Sequence, residues 1–366
     1  MADDEQMTID TPWRRDPAEL TEQLGAWARA VVGADATVAE VSAPEGNGMS
    51  SETVLFELHR GGTPVRHVAR LAPLPGLFPV FPEYDLDLQA RCMRLVGAAT
   101  DVPVPEVPWY EPDPQWLGSP FLVMSRVDGR VPPDVPPYVF GGWVAELAPE
   151  GRAQLEANTV DVLARLHRVT PSTHDLGFLA RPAHGASPLD QQLGYQRWYY
   201  EWAREGQSYP LIERTFAWLD AHRPSEGAAV LNWGDSRIGN MLFSGVEPVA
   251  VLDWEMATVG PKEIDIAWAL FVHRFFDDLA ERFEMPAMKD LMVRDRVVAT
   301  YEAASGEPVR DLEWFEVFAA LRFAIVSVRT TARGVAYGQT EAPDDPDDVI
   351  MFRGLQERML AGTYWD

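Results

Sequence analysis

Apolar and polar positions change period several times along the chain, and each change predicts an element. Leu20, Leu24, Trp27 and Val31 recur at helical spacing behind Asp16-Pro17, an N-cap residue with proline in the first turn, which predicts a helix over 16–33. From 37 to 72 the pattern shortens into strands at 38–41, 53–58 and 64–71, divided by loops rich in Gly, Ser and Asn, with Gly61-Gly62 as a hairpin signal. A helix over 84–96 and strands at 104–110 and 121–127 complete a small sheet-containing unit, preceded by a polar, loosely held arm at 1–15.

Pro132-Pro133 and Pro136-Pro137 then mark a boundary. Beyond them amphipathic spacing predicts helices over 150–167, 191–205, 210–222, 262–276, 287–304 and 312–331, with a strand–loop–strand at 229–253. An acidic loop at 341–348 precedes a last short helix, and no internal repeat is present. The expectation is an α+β chain with an N-lobe at 1–129 and a larger, mainly helical C-lobe at 130–366.

Charge narrows the partners. The 366 residues carry 31 Lys+Arg against 56 Asp+Glu, a formal net charge of −25 that repels a phosphate backbone, so no nucleic-acid partner is expected. Cys92 is the only cysteine, which excludes an intramolecular disulfide or a Cys-based zinc site. The acidic N-terminus lacks a signal-peptide pattern. The longest apolar stretch, residues 315–328, is broken by Glu316 and Arg322, so no membrane span and a cytoplasmic location are expected. Lysine occurs only at Lys262 and Lys289, leaving the first half of the chain with arginine alone.

The chemistry concentrates between residues 230 and 267. Two apolar strands flank a loop holding Asp235 and, five residues later, Asn240; Asp253 ends the next apolar run. Phosphoryl transfer needs a carboxylate beside the attacking hydroxyl and hard oxygen ligands for magnesium, and this spacing supplies both. The segment resembles the aminoglycoside phosphotransferase/choline kinase family, whose pattern is His-Gly-Asp-x-x-x-x-Asn, then Asp-Trp-Glu, then Gly-x-x-x-x-Asp-(Leu/Ile)-Ala. Here it reads Trp233-Gly234-Asp235 to Asn240, Asp253-Trp254-Glu255, and Gly260 to Asp265-Ile266-Ala267. Asp235-Ser-Arg237-Ile-Gly-Asn240 is most similar to the branch associated with acyl-CoA dehydrogenases, and the resemblance covers residues 37–275.

That resemblance implies a protein-kinase-like two-lobed fold with an ATP- and Mg2+-dependent active site between the lobes, acting on a small-molecule hydroxyl. It implies Asp235 as the catalytic group, Asn240 and Asp253 as metal ligands, and Arg237, Asp265 and Trp233 in support. The segment 46–51, with Ser50 and Ser51, would cover the phosphates, Arg70 would pair with them, and Met124, Ser125, Arg126 and Val127 would form the adenine-binding hinge. Two departures stand out: Trp233 replaces the motif histidine, and Arg70 (or Arg66 on the same strand face) must replace the family's lysine. Its acidic partner stays open among Glu83, Asp87 and the register position of Gln89. A pseudokinase that binds nucleotide without turnover is the alternative. A protein kinase is the third reading, discounted because the chain shows no Gly-x-Gly-x-x-Gly and no Ala-Pro-Glu or room for an activation segment after Asp253. Trp198, Tyr199 and Trp202 read either as helix packing or as pocket lining, and the acidic runs either as solvated surface or as an attractor for a cationic substrate.

Overall fold

The computed structural model describes residues 14–44 and 51–365. The chain up to Phe78 together with Trp109–Arg126 forms one compact unit, and Pro79–Pro108 together with the chain from Val127 onward forms the other.

In the first unit, helix α1 (Pro17–Val31) starts where Asp16 accepts hydrogen bonds from the backbone N–H groups of Ala18 and Glu19. Strands β1 (Thr37–Ser42), β2 (Glu52–His59), β3 (Val65–Leu71), β4 (Trp109–Glu111) and β5 (Phe121–Ser125) form an antiparallel sheet of order β1-β2-β3-β5-β4. Period-2 alternation assigns the faces. His67, Ala69 and Leu71 of β3 point to one side, where Leu24 and Trp27 of α1 join Val54, Phe56 and Phe121 in the core. The stretch expected as a strand from 104 pairs only from Trp109, because Pro103, Pro105 and Pro108 withhold the N–H groups a ladder needs. Arg15, read as part of a loose arm, is instead anchored: its guanidinium pairs with Glu52 and donates to Ser119 Oγ (2.6 Å) and Leu117 O (3.1 Å).

The second unit takes in helix α2 (Leu86–Ala99), so the division differs from a single cut at residue 129. Its ties are specific. Pro79 O accepts from Arg329 Nη2 (3.1 Å), Val80 O accepts from Tyr199 OH (2.8 Å), and Val251 N donates to Pro103 O (2.8 Å). Helices α3 (Pro149–Leu166), α4 (Pro188–Ala203), α5 (Pro210–Ala221), α6 (Glu263–Arg282), α7 (Arg294–Ser305), α8 (Leu312–Ala336) and α9 (Arg353–Ala361) make up most of it. Two short ladders sit among them: β6 (Ala229–Asn232) with β9 (Thr258–Pro261), and β7 (Met241–Ser244) with β8 (Glu247–Val251). The helix expected from 287 begins at Arg294, because Met288 N donates to Asp277 (2.7 Å) and Val293 N to Glu156 (3.0 Å), spending on side chains the groups a helical turn would use. Among the described residues, no helix is long and apolar enough to cross a membrane.

Candidate active site

The loop between β6 and β7 is fixed from beneath by one carboxylate. Asp265, fully buried in the first turn of α6, accepts from the backbone N–H of Trp233 (2.7 Å) and of Gly234 (2.8 Å). Its own carbonyl accepts from Ser236 Oγ (2.8 Å). His167 Nε2 lies 3.1 Å from the same carboxylate, and His167 Nδ1 lies 2.8 Å from the hydroxyl of Tyr301, so this histidine is buried and used on both ring nitrogens. From the other side Arg322 Nη2 donates to Gly234 O (2.8 Å). Gly234 has φ +92°, and a Cβ there would lie 2.0 Å from Met256 O, so only glycine fits.

Asp235 stands on this platform, almost buried, with three donors converging on its carboxylate. Trp268 Nε1 donates to Oδ1 (2.6 Å), Arg237 Nε to Oδ1 (3.0 Å), and Asn240 Nδ2 to Oδ2 (2.6 Å). A carboxylate accepts at about four lone-pair positions, so one remains for an incoming O–H. Arg237 also pairs with Asp134; burial works against its charge, but Asp235 and Asp134 together hold its pKa above the ordinary arginine value. Because Asn240 spends its amide N–H on Asp235, its carbonyl oxygen faces away and is available to a cation.

Asp253 follows β8 with φ +58°, a left-handed conformation that a non-glycine residue holds only where its surroundings over-determine it. Here the determinant is Trp233. Its buried indole Nε1 donates to Leu252 O (2.8 Å) and Asp253 O (3.2 Å), while Leu252 N donates to Asn240 O (2.8 Å). The residue in the motif histidine's place therefore ties the catalytic loop to the strand end that carries Asp253.

In the first unit Arg66 and Arg70 share the sheet face opposite α1 with Thr53, Leu55, Leu122 and Met124, and Arg70 Nη1 lies 3.5 Å from Thr53 Oγ1. Ser51 is buried, and its hydroxyl finds no partner among the described residues. Ser50 and residues 46–49 lie outside the described residues. Met124 and Ser125 continue β5, Arg126 N donates to Arg66 O (3.1 Å), and the ladder with β4 ends at Val123. The β4 ladder thus stops one residue before Met124, while β5 runs on to Ser125. Of the candidate acidic partners of Arg70, Asp87 pairs with Arg91 (3.8 Å) on α2 and Glu83 is exposed.

Sequence reasoning missed Trp268, Arg322 and Asp134. Trp268 lies one turn beyond Asp265 on α6, a spacing that puts both on one helix face. Arg322 signals itself as a lone cation within an apolar helical stretch. Asp134 lies in the proline-rich punctuation, where nothing marks it. A cavity of about 200 Å³ opens beside the loop in the second unit, lined in part by Tyr199 and Arg322, with Trp198 and Trp202 outside its lining.

The sequence profile of the phosphotransferase enzyme family matches residues 43–314. An Arabidopsis thaliana protein provisionally named an acyl-CoA dehydrogenase is 27% identical over 304 residues, 78% of this chain and 35% of that protein. The chain therefore spans 35% of the length of this relative. A Ralstonia eutropha protein provisionally assigned as an aminoglycoside phosphotransferase is structurally similar, with a TM-score of 0.64 at 23% identity, over 94% of this chain and 98% of that one. A thermostable aminoglycoside phosphotransferase variant, solved with AMP-PNP and hygromycin B, gives a TM-score of 0.55 at 15% identity over 93% and 100% of the two chains. At these identities the likeness shows the fold, which is protein-kinase-like, with a small antiparallel-sheet lobe and a larger helical one.

Proposed function

The chain belongs to the phosphotransferase enzyme family, and on that premise we propose that it is a small-molecule kinase, moving the γ-phosphoryl group of ATP to a hydroxyl with Mg2+ as cofactor. The observation that carries this reading is the Asp235 carboxylate, oriented by three N–H donors with one acceptor position left over. An acceptor hydroxyl donating there is aimed and partly relieved of its proton. Its oxygen attacks the γ-phosphorus, the bond from that phosphorus to the β-phosphate oxygen breaks, and the proton passes to Asp235. Positioning supplies most of the acceleration, since a loose transition state asks little of the base.

The donor set of Asn240 and Asp253, an amide oxygen and a carboxylate, fits magnesium, which takes few protein oxygens and completes its shell with phosphate and water. Among the described residues no three His, Cys, Asp or Glu side chains gather to hold a metal by themselves, so those further ligands are needed. Bound magnesium supplies neutralisation of phosphate charge. Arg70, Ser50 and Ser51 are the groups proposed to meet the phosphates, and the backbone of Met124, Ser125, Arg126 and Val127 the groups proposed to meet adenine. Arg237, Asp265 and Trp233 hold the loop. The reaction is proposed for the cytoplasm, where ATP is abundant.

The test is mass spectrometry after incubation with Mg·ATP and a panel of aminoglycosides, choline-type amines, sugars and hydroxyacyl-CoA thioesters, with Asp235→Asn as the blank. A phosphorylated product formed by the wild type alone supports the kinase. ATP binding without product on any class favours the pseudokinase. Asp253→Ala should likewise abolish transfer while leaving the melting curve near that of the wild type.

A further inference from the structure

The two oxygens of Asp235 are not equally engaged. Oδ1 takes both the indole N–H of Trp268 (2.6 Å) and Arg237 Nε (3.0 Å), which fills the two lone-pair positions of that oxygen. Among the described residues, Oδ2 meets only Asn240 Nδ2 (2.6 Å). The vacant acceptor position is therefore on Oδ2, and a hydroxyl that docks there stands beside Asn240. Arg237 threatens that position. A guanidinium beside a carboxylate favours the bidentate grip, two parallel N–H donors on two oxygens. With Nε already on Oδ1, a turn of Arg237 about that contact would bring a second nitrogen onto Oδ2 and close it to a hydroxyl.

Asp134 opposes the turn. Its Oδ2 pairs with Arg237 Nη1, so two carboxylates draw the guanidinium from two sides and Asp235 is met through one nitrogen only. The geometry around the pair is specific. Asp134 Oδ1 is buried and has no partner among the described residues, a cost that a freely solvated surface ion pair does not carry. A Cβ on Gly239 would lie 2.6 Å from Asp134 Oδ1 and 2.6 Å from Arg237 Nη1, so the approach depends on glycine there. The segment that delivers Asp134 is pinned on both flanks. Arg130 and Phe243 exchange backbone hydrogen bonds (2.9 Å each), Tyr138 N donates to Pro133 O (2.8 Å), and Tyr138 OH lies 2.7 Å from His273 Nδ1 in the core. Pro132, Pro133, Pro136 and Pro137 stiffen what lies between.

We propose that Asp134 is a positioning residue for phosphoryl transfer: it holds Arg237 to a single contact with Asp235 and so keeps Oδ2 open to the acceptor hydroxyl. The role of the hydroxyl rests on the kinase reading; the restraint on Arg237 belongs to the protein without substrate and is tested without one.

The first readout is a crystal structure of the Asp134→Ala variant, in which Arg237 should have turned to place two nitrogens within hydrogen-bonding distance of Oδ1 and Oδ2 of Asp235. In solution, the indole 1H–15N resonance of Trp268, identified by its loss in Trp268→Phe, reports on the oxygen it shares with Arg237. It should shift in Asp134→Ala, and in the same direction but less in Asp134→Asn, which keeps an oxygen for Nη1 without the charge and serves as the second variant should alanine not fold. The second readout is turnover with Mg·ATP and kanamycin, choline, glucose or 3-hydroxybutyryl-CoA as acceptor. Asp134→Ala should lower kcat/KM for the acceptor on the order of 10–100-fold while KM for ATP stays as in the wild type. In an Arg237→Met background the same substitution should cause no further loss, because the residue it restrains is gone.

Arg237 unmoved in the variant crystal, or swung away from Asp235, overturns the proposal, as does an undiminished loss in the Arg237→Met background. Transfer by the wild type that is indifferent to Asp134→Ala would sink the proposal alone. Arg237 closing on Asp235 in the variant, with no acceptor phosphorylated by the wild type, would uphold the restraint and count against the kinase reading alone.

Discussion

At the scale of single residues, the catalytic loop hangs on positions that tolerate almost nothing. Gly234→Ala must pay both a left-handed backbone and a Cβ 2.0 Å from a carbonyl oxygen, and should cost about 3 kcal/mol or more, read as a lowered denaturation midpoint. Asp265→Asn replaces one of two accepting oxygens with an N–H₂ that faces backbone donors, so it should destabilise by about 2–4 kcal/mol and reduce turnover more than it raises KM. Asp235, Asn240 and Asp253 were visible in the sequence because their spacing is local, and the structure brings Asp235 and Asn240 into direct hydrogen bonding. Trp268 and Arg322 were not, since they reach the loop from α6 and α8, and a helix face says only that a residue is buried, not what it is buried against. Trp233 was visible as a departure, but its two carbonyl partners were not.

At the scale of elements, the sheet of the first unit depends on one clamp. Trp27 of α1 is fully buried and meets Trp109 and Phe121 edge-on, with ring centroids 5.6 Å and 5.4 Å away. Trp27→Ala should cost about 3–5 kcal/mol, whereas Trp27→Phe should cost far less, since the indole N–H it removes is buried without a partner. Equilibrium unfolding of the two variants separates the outcomes. Elements whose signal is local came through in the sequence: the capped start of α1, the alternation of β2 and β3, the Gly61-Gly62 turn. Those decided by distant partners did not. The late start of α7 is set by Asp277 and Glu156, and β9 is a four-residue strand ending in Gly-Pro that exists because β6 pairs with it.

At the scale of the whole molecule, acidity and burial act in opposite directions on stability. Glu316 on α8 is pushed up to about 7, from an ordinary 4.5, by burial first, with Arg294 and Trp365 pulling the other way. A carboxyl whose folded pKa is raised lends stability that is complete below the unfolded value and is lost as pH climbs through the folded one. The contribution is therefore full below pH 4.5 and gone above about 7, and Glu316→Gln should raise the melting temperature at pH 8 while changing it little at pH 5. The order in which the chain visits its two units has a different consequence. It leaves the first unit at Phe78, returns at Trp109, and leaves again after Arg126, and the returning piece supplies β5, which lies between β3 and β4. On the ribosome, β3 is thus an open edge until residues 121–125 have cleared the exit tunnel, so nascent chains released before then carry a bare strand able to pair with other chains, and premature termination in this interval should yield insoluble product.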